Sequence, residues 1–132
     1  AINRGMKVPK IVLRILFGTS PRVSRRYRKI SELYRGELAK GAKSPWLYSP
    51  RKKALPDEPE PVKETLLRKW EKTGFKQLSI IERCEDRDLD KYRLPHPILG
   101  KITVREMLFF TMYHNQHHIV SVKKRLEKVP AN

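Results

Sequence analysis

An all-α fold, a helical bundle in a single domain spanning residues 1–132, is predicted by three features of the chain. Apolar residues recur at helical spacing in four separate stretches, which is the pattern of helices with one inward face. Prolines and glycines divide those stretches from one another, at Gly18 and Pro21, from Gly41 to Pro61, and from Pro95 to Gly100. The last stretch opens with Thr103 and Glu106 three residues apart, the form of a capping box in which the Thr hydroxyl takes an orphan amide and the Glu reaches back to the cap residue's own N–H.

The first stretch carries Ile2, Met6, Pro9, Leu13, Leu16 and Phe17 on one side, a helix already in progress at Ala1, and Gly18 is a usual residue for its end. Thr19 or Ser20 before Pro21 then offers a helix start, and Val23, Tyr27, Ile30, Tyr34 and Leu38 continue at helical spacing until Gly41. From 42 to 61 the chain is rich in proline and charge and reads as a long extended connection, tacked down by Trp46, Leu47 and Tyr48. Pro61 suits a first helical position. After it, Leu66, Trp70, Thr73, Gln77, Ile80, Ile81 and Cys84 describe a long helix that ends before the acidic run from Asp86 to Asp90.

Leu94-Pro95-His96-Pro97 reads as a stiff turn into the final helix, with His96 an exposed turn residue. That helix starts at Thr103, and Val104, Met107, Leu108, Thr111, Val122, Leu126 and Val129 form its apolar stripe. At about 100° per residue, His118 lies about 40° and His114 about 80° from the middle of the stripe, while His117 lies about 140° away and points outward. Residues four apart stand one above the other on a helix, so His114 and His118 are placed to converge on one small ion. A core histidine bonded to a neighbouring helix is the ordinary alternative for either one. Burying both without partners would be costly, which favours the ion.

The segment from His96 to His118, with its Pro-Ile-Leu-Gly-Lys-Ile-Thr-Val-Arg-Glu lead-in and His-x-x-His-His cluster, resembles the closing segment of the DinB-like superfamily. Glu32-Leu-Tyr-Arg-Gly-Glu-Leu-Ala-Lys-Gly-Ala-Lys-Ser-Pro and the Pro-rich connection resemble the middle of the same proteins, which places the start of the second helix nearer Arg28 than Pro21. The resemblance implies a four-helix bundle of up-down-down-up type, here with its first helix missing or truncated. It also implies a divalent metal, zinc or nickel, held by three histidines, of which His114 and His118 match the last-helix pair. The third ligand is not visible, because the four histidines (positions 96, 114, 117 and 118) all lie in the last third of the chain. A donor in residues preceding Ala1 and a genuine loss are the two explanations, and His96 is the one internal candidate for a replacement.

Charge is the second strong property: 30 Lys+Arg against 14 Asp+Glu leave a net +16 and a pI of about 10.3. The cations group as Arg22, Arg25, Arg26, Arg28 and Lys29, as Arg51, Lys52 and Lys53, and as Lys123, Lys124 and Arg125. Such a field draws anions, nucleic-acid phosphates among them, though no helix-turn-helix, zinc finger or RNA-binding motif accompanies it. A solvated basic surface is the plain alternative. Cys84 is the single cysteine, so no internal disulfide forms and a reducing, cytoplasmic setting is expected. The longest apolar run, Ile11 to Phe17, is broken by Arg14, and neither a membrane span nor a membrane partner is expected.

Two functions of different class follow. One is a metal-dependent enzyme, as the resemblance implies: a transferase using a low-molecular-weight thiol, or a hydrolase, acting on an anionic small molecule. In it Glu106 belongs to its cap, Asn115 and Gln116 face outward, and a homodimer is expected as in many relatives. The other is a non-catalytic basic module that binds nucleic acid or an acidic protein.

Overall fold

The computed structural model describes residues 9–43, 45 and 59–128. They form helices α1 (Lys10–Phe17), α2 (Tyr27–Ala39), α3 (Pro59–Ile81) and α4 (Asp86–Lys91), strands β1 (Arg93–His96) and β2 (Gly100–Thr103), and helix α5 (Val104–Leu126). The fold is therefore mostly helical, with a small sheet that the all-α expectation did not contain. Ile2, Met6, Trp46, Leu47, Tyr48, Val129 and the cluster Arg51, Lys52 and Lys53 lie outside the described residues.

Gly18 ends α1 as expected, with φ +72° and its N–H donated to the Arg14 carbonyl at 2.9 Å. A side chain there would meet the Arg93 guanidinium, because a Cβ would stand 2.8 Å from Arg93 Nη2. The second helix begins at Tyr27, close to the start the resemblance favours and well after Pro21. Val23, expected on its inner face, is 81 % exposed in the extended approach to it.

Helix α3 starts earlier than expected, at Pro59, and stops at Ile81, before Cys84. The acidic run after it forms a short helix of its own, α4, with Asp86 and Asp88 in its first turn, where carboxylates complement the positive end of a helix. Leu94-Pro95-His96 is extended, not a turn. It makes β1, paired antiparallel to β2 in the register Leu94↔Ile102 and His96↔Gly100, and Gly100 at φ +70° closes the connection.

Strand alternation turns Leu94 and Ile102 inward. They meet Leu13, Leu89, Val104 and Met107 in the core, with Phe17, Cys84, Tyr92, Leu99, Leu108 and Phe110 packed around it. Helix α2 adds Ile30 and Tyr34, both buried, against α5. Cys84 is half-buried and its thiol donates to the Ile80 carbonyl at 3.3 Å.

Burial on α5 is uneven along its length. Val104 and Met107 are buried, whereas Val122 and Leu126, on the same expected stripe, are 52 % and 66 % exposed. The same holds on α3, where Leu66, Trp70 and Thr73 are exposed, Thr73 is bonded to the Lys69 carbonyl, and Gln77 is half-buried.

Candidate metal centre

The start of α5 is fixed by the capping box that the sequence announces. Glu106 N–H donates to Thr103 Oγ1 at 3.1 Å, and Thr103 N–H donates to Glu106 Oε2 at 3.1 Å. Glu106 does more than cap. Its Oε1 accepts from Arg22 Nη1, from the Arg25 backbone N–H and from Arg25 Nε, each at 2.8 Å, and Oε2 accepts from Arg25 Nη2 at 2.9 Å. Burial would raise the pKa of this fully enclosed carboxyl, but the bonds from Arg25, Arg22 and the backbone outweigh it and hold it at about 2. The clamp sets where α5 begins, and hence the height at which its histidines stand.

Two and three turns further on, His114 and His118 come together as their spacing requires. Their Nε2 atoms are 2.9 Å apart, so one ring donates to the other. His114 is half-buried and His118 exposed, and His114 Nδ1 is buried with no hydrogen-bond partner among the described residues. Burial, then the neighbouring His118 and His117, pushes the His114 pKa down, so the ring is neutral at pH 7.

Tyr34 of α2 packs edge-on against this group. Its ring centroid lies 5.8 Å from His114, 6.5 Å from His117, 5.0 Å from Phe110 and 6.2 Å from His96. Two expectations are corrected here. His117 is half-buried under Tyr34 and Tyr113 rather than outward, and His118, expected nearest the inner face, is the more exposed. The stripe pointed the wrong way because its residues Val122 and Leu126 stay exposed, while α2 packs on the side of Tyr113 and His117.

The third correction concerns His96, which is 7 % exposed instead of an open turn residue. Its ring stands 4.1 Å from that of Phe110, and its Nδ1 accepts from the Ile98 and Leu99 N–H groups at 3.1 and 3.0 Å. Nδ1 is thereby committed to the hairpin and the ring proton sits on Nε2. Burial, with a smaller contribution from His114, lowers its pKa to about 4.

The pair fits a metal in one respect. Two nitrogens on a tetrahedral zinc, each at about 2.0–2.1 Å, stand about 3.3 Å apart, a few tenths of an ångström wider than the present Nε2 separation. Small side-chain rotations supply that. In the other respect the set is incomplete: among the described residues no three His, Cys, Asp or Glu side chains are grouped to hold an ion. A metal here would need donors besides His114 and His118.

Of the basic candidates, Arg22 and Arg25 are bound to Glu106, and Arg26 is exposed. Gln116 is exposed, as expected, and accepts from Tyr27 Oη at 2.7 Å. The roles of Tyr34 and of the arginine clamp escaped the sequence reading. Tyr34 was legible as a core position of α2, but nothing local links it to residues 62 or more positions away. No family model matches this chain, and neither the curated proteins nor the solved structures contain a match to it.

Proposed function

We propose that this chain is a DinB-like domain in which His114 and His118 hold a divalent ion, zinc or nickel, for metal-assisted thiol transfer or hydrolysis. The observation that carries the proposal is the 2.9 Å approach of the two Nε2 atoms on one flank of α5. Support comes also from the depressed basicity of His114, since only a neutral imidazole can ligate. In the up-down-down-up bundle that the resemblance implies, a further helix would cover the open faces bearing Leu66 and Trp70 of α3 and Val122 and Leu126 of α5, and the third donor would come from the start of the helix equivalent to α1.

Such an ion, when bound, makes a water or thiol nucleophilic near neutral pH. The chain's own part is to hold two imidazoles in register, to wall His114 with Phe110 and Tyr34, and to attract anionic substrates through its net positive charge. Titration of zinc or nickel into the full chain, followed by calorimetry, tests this. One equivalent is expected to bind, and His118→Ala, at an exposed position, is expected to weaken binding about 10–100-fold with the helical content unchanged. Absence of binding, or binding indifferent to His118→Ala, overturns the proposal.

One observation favours a second reading, a non-catalytic module for nucleic acid or an acidic protein. Lys123, Lys124 and Arg125 are exposed in the last turn of α5 and form no ion pair among the described residues. A metal-free chain that shifts DNA, with affinity falling steeply as salt rises, would support it.

A further inference from the structure

A cavity of about 320 Å³ lies between α1, the end of α3, α4 and the start of α5, and shares no residue with the histidine pair. Its wall is mainly apolar, built from Leu13, Ile80, Leu89 and Val104, with Tyr92 beside them. Four charged side chains stand around it, and three of them are already paired or compensated. Lys10 Nζ lies 2.5 Å from Asp88 Oδ2, and Glu85 Oε2 lies 2.6 Å from Arg87 Nε. Cys84 is engaged too, its thiol donating to the Ile80 carbonyl at 3.3 Å. Arg83 is the exception: it is exposed at the cavity and makes no ion pair or side-chain hydrogen bond among the described residues.

We propose that this cavity binds a medium-chain carboxylate, with the alkyl chain against Leu13, Ile80, Leu89 and Val104 and the carboxylate paired to the Arg83 guanidinium. The volume falls within the range of small-molecule sites, and a mainly apolar wall with a few polar groups is their usual composition. Guanidinium and carboxylate match as a two-bond fork, which fixes the head group while the tail supplies burial. An alkylammonium of equal length would place its charge beside Arg83 and lose that pairing. A neutral alcohol keeps the tail and forgoes the ion pair.

Octanoate, octylamine and octanol titrated into the full chain, followed by amide NMR shifts, separate these cases. Octanoate is expected to shift the amides of Cys84, Leu89, Tyr92 and Val104 and to bind at least about fivefold more tightly than octylamine or octanol, the ratio for a partly exposed charge pair worth about 1 kcal/mol. Arg83→Gln, at an exposed position, is expected to erase the advantage of octanoate over octanol without changing octanol. Ile80→Trp, which enlarges a side chain of the lining, is expected to weaken all three. Shifts scattered outside the lining, octylamine binding as tightly as octanoate, or an Arg83→Gln chain that binds octanoate unchanged each overturns the proposal.

Discussion

Glu106 is fully buried and ionised, and what makes that tolerable is the pair of guanidiniums and backbone N–H groups directed at its two oxygens. Removing one partner of a buried charged set is expensive because the remaining charges stay enclosed. Glu106→Gln is therefore expected to destabilise the fold by about 3 kcal/mol, read as a fall in the urea midpoint. A change of only a few tenths of that would contradict the clamp. Half of this residue's role is legible in the sequence, since Thr103 and Glu106 stand at capping-box spacing. The other half is not, because Arg22 and Arg25 reach it across 84 and 81 positions, and no local pattern encodes that meeting. His96 failed for a similar reason. Its flanking prolines suggest a turn, but its place in a strand, its burial against Phe110 and its bonds to Ile98 and Leu99 depend on how the hairpin folds back.

Among the elements, α5 separates what periodicity can and cannot say. A stripe at helical spacing marks residues able to be buried, and burial follows only where another element packs. Met107→Ala is expected to cost about 2–5 kcal/mol, the usual range for a buried large-to-small change, while Val122→Ala on the same stripe is expected to stay within about 0.5 kcal/mol. Chemical denaturation of the two variants checks the contrast, and equal losses would mean that the C-terminal half is covered. Helix α4 and the hairpin were missed on physical grounds as well. Six residues with one buried side chain, Leu89, hold no periodicity, and a four-residue strand containing Pro95 forms here because only one neighbour demands its hydrogen bonds.

For the whole molecule, three groups tie stability to pH with one sign. His96 titrates at about 4 in the fold against about 6.5 outside it, His114 is also shifted down, and Glu106 titrates at about 2 against an ordinary 4.5. Each pKa is lower in the folded chain, so the stability each contributes is complete above its unfolded value and is lost as pH falls toward the folded one. Stability is expected to decline first between about pH 6.5 and 4, chiefly through His96 and by about 3 kcal/mol, and again from about 4.5 toward 2 through Glu106. Melting temperatures measured from pH 7 to 3 follow this directly, and His96→Phe should flatten the upper window. A wild-type curve level from pH 7 to 4 would show that His96 is not buried as described.

Local chemistry was enough for the sequence by itself to determine the helical class, the stop at Gly18, the start of α5 at Thr103 and the one-turn spacing that brings His114 to His118. Each of those rests on interactions among residues a few positions apart, which the order of side chains dictates. Tertiary structure alone decided that Tyr34 covers His117 rather than His118, that His96 goes inside, and that Arg22 and Arg25 are bound to Glu106 instead of lying free. These outcomes depend on which surfaces meet, and packing between distant segments is selected by the total burial of the molecule, not by any one segment's pattern.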